Sequence, residues 1–179
     1  MVSITYFVHG TTTGNEQGLA TGWLPGELSP TGREQAIRLG TQTQGRRFDI
    51  VFSSDLKRAV DTVRLAFRDA YPSLQDDRLR ELDYGDFNGL PHTFKDKLTD
   101  YVDMPFPNGE SYRDAEMRLQ SFCDYLKREY DGRHVAVVAH QAPQLALDVI
   151  LRGKSWDQAI AEDWRRTGAW QPGWEYTIP

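Results

Sequence analysis

Two histidines stand where short apolar runs end. His9 follows Ser3-Ile4-Thr5-Tyr6-Phe7-Val8 and precedes Gly10 and three threonines. His140 follows Val135-Ala136-Val137-Val138-Ala139 and precedes Gln141-Ala142-Pro143. Both runs have the length, β-branching and turn-residue boundaries of buried strands. In open α/β sheets, ligands bind beyond the carboxyl ends of the strands. Two imidazoles there, together with Arg58 and Glu81, point to phosphoryl transfer through histidine. The set supplies a nitrogen nucleophile, a guanidinium for anionic oxygens and a carboxyl acid. Either histidine alone would read as a satisfied residue at a strand end. The pair, with its flanking residues, reverses that.

The elements that must position these groups alternate along the chain. After the first strand comes a glycine- and threonine-rich loop from Gly10 to Leu28. Thr31 and Glu34 have capping-box spacing for a first helix. Phe48–Ser53 reads as a second strand. Asp55 is placed to cap a helix carrying Leu56, Ala59, Val60, Val63 and Phe67 at helical spacing. The stretch from Tyr71 to Asn108 is irregular, with four prolines up to Pro107. Ser111 and Asp114 open a helix that buries Ala115, Leu119, Phe122 and Leu126. Strand 135–139 follows, then a helix from about Pro143 to Arg152 that stops at Gly153. The tail holds four of the five tryptophans. It is expected to contain a helix from Ser155 and a last strand around Trp174–Ile178. Strands alternating with amphipathic helices imply an α/β fold: a three-layer α/β/α sandwich around a mostly parallel sheet.

The chain has 179 residues, 39% of them hydrophobic and 26% charged. That suits a single domain, residues 1–179, with one substantial core. No apolar run approaches the roughly 20 residues that span a bilayer, and the N-terminus lacks the pattern of a signal peptide. The one cysteine, Cys123, fits a reducing compartment, so the expected location is cytoplasmic. No Cys/His cluster has metal-ligand spacing, and neither a metal nor a cofactor is expected. A net charge of −5 argues against nucleic acid or an anionic membrane as partner. It leaves room for a small anionic substrate, because local charge dominates at short range. The oligomeric state is not readable; the tryptophan-rich tail either forms a homodimer face or closes the core.

Four segments carry a resemblance. They are Phe7–Asn15 around His9, Ser53-Ser54-Asp55-Leu56-Lys57-Arg58-Ala59, Leu79–Gly89 around Glu81, and Val137-Val138-Ala139-His140. In this order they resemble the histidine phosphatase superfamily, the phosphoglycerate mutase-like branch 1. Thr21-Gly22-Trp23, Gly32-Arg33-Glu34 and Gly109-Glu110-Ser111 extend the match, which runs from about residue 4 to about residue 150. The resemblance implies that His9 is the nucleophile and carries a phosphohistidine. Arg58 would fork onto the phosphate oxygens, the alternative being a surface pair with Asp55 or Asp61. His140, as a cation or donor, would stabilise the transferring group. Glu81 would protonate the leaving oxygen and then activate water, with Asp83 and Asp86 as nearby competitors. Asn15, Thr21 and Gly22 fall at substrate-contacting positions, with Asn15 equally readable as a loop cap.

One residue departs from that pattern. The family's first motif is Arg-His-Gly, and here Val8 precedes His9. Losing one preorganised donor costs on the order of 10²- to 10³-fold in rate, and losing a cation would let the His9 pKa rise. Arg33, Arg113 and Arg118 are the candidates to replace it. The expected function is a metal-independent phosphomonoesterase acting on a small phosphorylated molecule. The alternatives are a mutase of the same fold and a weak phosphate-binding module. Only Leu82–Asn108 separates the Glu81 motif from Gly-Glu-Ser, too short for the lid of a true mutase, which favours hydrolysis. Trp23, Tyr84, Phe87, Phe94, Phe106 and Trp170 are candidate mouth residues, though ordinary packing accounts for most. His92 and His134 read as solvent-facing. Sugar phosphates, nucleotide-loop phosphates and phosphoproteins all remain open as substrates.

Overall fold

Strand β1 (Val2–Val8) lies inside a five-stranded sheet of order β3-β2-β4-β1-β5. Its neighbours are β4 (His134–Ala139), parallel to it, and β5 (Trp174–Ile178), antiparallel. Beyond β4 come β2 (Ile50–Ser53) and β3 (Ser73–Gln75), both parallel. The computed structural model describes residues 1–167 and 173–179.

Side chains alternate across the sheet and so divide its core into two layers. Phe7, Val51, Ala136 and Val138 pack with Leu39 of α2 (Pro30–Gln42) and Val63 and Phe67 of α3 (Lys57–Phe67). Tyr6, Val8, Phe52, Val135, Val137 and Ala139 face α4 (Tyr112–Glu129), α5 (Gln141–Arg152) and α6 (Trp156–Ala161). The architecture is therefore the expected three-layer sandwich around a mostly parallel sheet. In α4, Ala115, Leu119, Phe122 and Leu126 are all buried. At about 1.5–3 kcal/mol for each large apolar side chain removed from water, this face holds α4 in place.

The local signals held in some places and were overruled in others. Ser111 and Asp114 form the expected reciprocal capping box. The tail helix is capped by Ser155. Helix α2 instead starts at Ser29, whose hydroxyl accepts from Gly32 N–H, with Pro30 in the first turn. Pro30 lacks an N–H and fits that position better than Thr31 fits the cap. Asp55 does not cap α3; its carboxylate is drawn to Arg80 at 2.7 Å. Helix α5 begins at Gln141, directly on His140, and Pro143 lies within its first turn. The loop after His9 contains a short helix, α1 (Thr13–Glu16). The irregular stretch holds β3 and three turns of 3₁₀ helix. His134 is not solvent-facing: it opens β4, bonds Thr5 Oγ1 at 2.8 Å and packs edge-on to Phe48.

Among the described residues, no helix is long and apolar enough to cross a membrane.

Candidate active site

Strand register brings the two histidines together. Val8 pairs with Ala139, so the next residues, His9 and His140, leave the sheet side by side, with ring centroids 5.0 Å apart. On the other side of β4, Ser53 pairs with Val138, which places Ser54 beside His140. Ser54 Oγ lies 2.6 Å from His140 Nε2. Tyr6 fixes the turn from the core side: its hydroxyl donates to the His140 carbonyl at 2.6 Å and accepts from His140 N–H.

His9 Nδ1 is 2.6 Å from the Gly10 carbonyl. A carbonyl only accepts, so Nδ1 carries the proton and the neutral ring presents Nε2 as a lone pair. Gly10 can supply that carbonyl because it lies flat against α2: a Cβ on Gly10 would fall 2.3 Å from the Gly32 carbonyl oxygen. Burial, then the Arg58 charge, push the His9 pKa down to about 3. The same forces push His140 well below the ordinary range. His140 is therefore a neutral ring rather than a cation, fully buried, with Nδ1 unpartnered.

Arg58 is 1% exposed. Its Nε donates to His9 Nε2 at 3.3 Å. One terminal nitrogen donates to the carbonyls of Leu24 at 2.7 Å and Pro25, and the other to Gly22 at 2.7 Å. Backbone thus takes three of the four terminal N–H groups, and Nε is the nitrogen aimed at the nucleophile. Burial lowers its pKa to about 10, so it stays charged at neutral pH. Gly22 serves this arrangement with its backbone, at a φ of 50°, where a Cβ would strike Asn88.

Glu81 is buried at the start of α5. Its Oε1 accepts from Leu82 N–H at 3.0 Å and Ala142 N–H at 2.9 Å, and its Oε2 from Gln141 N–H at 3.2 Å. Two of those donors are free N–H groups at a helix N-terminus, a natural carboxylate seat. Asp83 and Asp86 are turned elsewhere, bonded to Asn88 and Asn108.

A cavity of about 540 Å³ opens over these groups, lined by Val8, His9, Asn15, Thr21, Gly22, Arg58 and Glu81 among others. His140 lies behind His9 rather than on the wall. Asn15 is engaged in its own helix cap with Thr12, although it still borders the cavity. Thr21 Oγ1 is buried without a partner. His92, expected in solvent, lines the cavity half-buried against Phe94, and burial lowers its pKa. Of the aromatic candidates, Tyr84 reaches the wall. Phe87, Phe94 and Phe106 pack on one another behind it. Trp23 lies under Arg80 and donates to the Glu81 carbonyl. Trp170 lies outside the described residues.

None of the three arginines proposed to stand in near Val8 lines the cavity. Arg33 is exposed, Arg113 pairs with Asp103 and Glu116, and Arg118 is tied to Glu110 and the carbonyls of Arg78, Arg80 and Glu81. The arginines that do border it, besides Arg58, are Arg165 and Arg166 of the tail. Arg165 donates to Gln141 Oε1 and stands 3.8 Å from Glu81 Oε2, with Arg166 nearby on the same wall. Gln141 in turn donates to the buried Asp163. Little in the chain's local pattern announces this network beyond Gln141 following His140 and the basic pair after Trp164. Among the described residues, no group of three or more His, Cys, Asp or Glu side chains is arranged to hold a metal.

Known proteins resemble this chain in sequence and fold. A 2,3-bisphosphoglycerate-dependent phosphoglycerate mutase of Methylorubrum populi is 32% identical over 162 residues, 81% of this chain and 76% of that one. A putative α-ribazole-5′-P phosphatase of Escherichia coli superposes with a TM-score of 0.80 at 27% identity, covering 88% of this chain and 83% of the other. A mycobacterial glucosyl-3-phosphoglycerate phosphatase, solved with VO3, superposes with a TM-score of 0.77 at 31% identity over 89% and 86%. Residues 6–173 match the histidine phosphatase superfamily (branch 1), a span that takes in both strand-end histidines, Arg58 and Glu81, and the chain belongs to that superfamily.

Proposed function

We propose that this protein is a metal-independent phosphomonoesterase that passes a phosphoryl group through His9. The observation that carries the reading is the His9 ring: Nδ1 is tethered to the Gly10 carbonyl, Nε2 is unprotonated, and the ring borders the cavity. His9 Nε2 attacks phosphorus, the bond from phosphorus to the ester oxygen breaks, and Glu81 supplies a proton to the departing alkoxide. Water then attacks the phosphohistidine, gives a proton to Glu81, and phosphate leaves as the N–P bond breaks. Arg58 Nε stabilises charge on the transferring group, and His140, held by Ser54, backs the His9 ring.

The size of the cavity, about 540 Å³, is in the range that holds a small organic phosphate. Short 3₁₀ turns between Leu82 and Asn108 wall one side of it, backed by the Phe87, Phe94 and Phe106 cluster. His9 is only half-buried. A site so open to water favours hydrolysis over retention of the phosphoenzyme for a mutase cycle. A small phosphorylated substrate, no nucleic-acid or membrane partner and a cytoplasmic location complete the proposal. The mutase reading is kept because the Methylorubrum populi relative bears that name.

The test is p-nitrophenyl phosphate turnover at pH 5–8 with EDTA, for wild type and His9→Ala, beside a 3-phosphoglycerate isomerisation assay primed with 2,3-bisphosphoglycerate. EDTA-resistant hydrolysis lost in His9→Ala is expected. Isomerisation faster than hydrolysis would overturn the phosphatase reading for the mutase one. Phosphate binding without turnover of either substrate would leave a binding module.

A further inference from the structure

A phosphate dianion at His9 meets one cation in contact with the nucleophile, Arg58. The residue ahead of His9 is Val8, a buried aliphatic that brings no charge. Arg58 is a cation, but three of its four terminal N–H groups are bound to backbone carbonyls, and its Nε faces His9. Both histidines are neutral. Glu81, Asp96 and the buried Asp163 put carboxyl groups on the same wall, and its cations besides Arg58 are Lys95, Arg165 and Arg166, the last with its Nε on the Ile160 carbonyl.

Arg165 is placed to correct this. It borders the cavity on the short helical turn Trp164–Thr167 that follows α6. Its charge already acts on His9 and His140 across the cavity. Its backbone is fixed, with the N–H donating to Asp163 Oδ1 at 3.1 Å. Its side chain is one-third exposed, holds the neutral Gln141 amide and stays 3.8 Å from Glu81, beyond hydrogen-bond length. A guanidinium with an amide partner and a long ion pair gives up little when it turns to a phosphate, where charge-assisted, bidentate bonds are stronger.

We infer that Arg165 is the second guanidinium of the phosphate site, supplied from the tail to bind phosphoryl oxygens beyond those that Arg58, with three of its four terminal N–H groups on backbone, can engage. Gln141 and Asp163 hold it ready. The inference rests on the phosphatase reading above. A purely structural role, tying the tail to α5, would affect folding but not anion affinity.

The experiment compares wild type, Arg165→Gln, Arg165→Lys and His9→Ala in p-nitrophenyl phosphate turnover, in competitive inhibition by inorganic phosphate and in Tm. Arg165→Gln is expected to lose on the order of 100-fold in kcat/KM and to weaken phosphate inhibition about tenfold or more, with Tm nearly unchanged. Arg165→Lys, which keeps the charge without the fork, should recover part of both. If Arg165→Gln fails to fold, the lysine variant carries the comparison. Arg165 variants that match wild type in turnover and inhibition, while His9→Ala is inactive, would overturn the inference and leave the phosphatase reading standing. If wild type turns over nothing, that reading fails, and calorimetric titration of orthovanadate decides for Arg165. Weaker binding by the variant supports it; equal binding, or none by wild type, overturns it.

Discussion

Arg58 Nε lies 3.3 Å from His9 Nε2, and the rest of the Arg58 guanidinium is committed to the carbonyls of Gly22, Leu24 and Pro25. One side chain thus does two jobs. It keeps the nucleophile unprotonated, and it anchors the loop that forms the cavity wall. A buried cation with three of its four terminal N–H groups on backbone is hard to replace, because each orphaned carbonyl costs about 1–3 kcal/mol.

Arg58→Lys should therefore fail on both counts. A lysine keeps the charge but has no planar fork to reach the carbonyls on either side. Turnover of p-nitrophenyl phosphate should fall on the order of 100-fold, and Tm should drop by several degrees. His9→Gln, by contrast, should abolish turnover with a smaller change in Tm. Thermal melts of both variants beside the activity assay check this. An Arg58→Lys enzyme of wild-type stability would mean that the backbone contacts do not anchor the loop.

Acid should destabilise the fold in a window set by the histidines. His9 titrates at about 3 in the native state, and His140 and His92 are also pushed down by burial. In the unfolded chain all three titrate near 6.5. Between those values the unfolded state binds protons that the native state does not, so stability rises with pH and falls on acidification. Full stability is present above about pH 7 and is lost progressively as pH falls from about 6.5 toward 3. Each such proton contributes a slope of about 1.4 kcal/mol per pH unit. Urea midpoints at pH 7.5, 6.5 and 5.5 test this above the carboxylate range, and His9→Gln should flatten the slope. Equal midpoints at 7.5 and 5.5 would contradict it.

The histidines were legible because each ends a short apolar run, and a strand end is a fixed platform. That the two ends would meet depended on β1 and β4 being neighbours, a fact of topology that no local pattern carries. Caps were misread where two signals compete: Ser29 with Pro30 outweighs Thr31, and Arg80 draws Asp55 away from α3. Strand β3 escaped notice because its three residues are all exposed and leave no alternation to read. Arg165 was hidden for a different reason. Its neighbours in the cavity, Glu81 and Gln141, lie 84 and 24 residues away in sequence, and a lone arginine on a short turn has no periodicity. That backbone carbonyls would claim most of the Arg58 fork was not legible, because the sequence does not display them.

Glu81 can be tested by the ester it helps to break. Its carboxylate is seated by N–H groups of Leu82, Gln141 and Ala142, and a glutamine would keep an acceptor oxygen in that seat while losing the transferable proton. A p-nitrophenolate departs with little help, whereas an alkoxide needs a proton in the transition state. Glu81→Gln should therefore cost more with an alkyl phosphate than with p-nitrophenyl phosphate, by about 10²- to 10⁴-fold for the former and about tenfold or less for the latter. Arg165→Gln should slow both esters alike, since it acts on the phosphoryl oxygens that the two share. Parallel kcat/KM measurements on phenyl, p-nitrophenyl and glycerol phosphates separate the two residues. A Glu81→Gln enzyme with equal losses on all three esters would remove Glu81 from the proton-transfer step and leave it as the group that seats the start of α5.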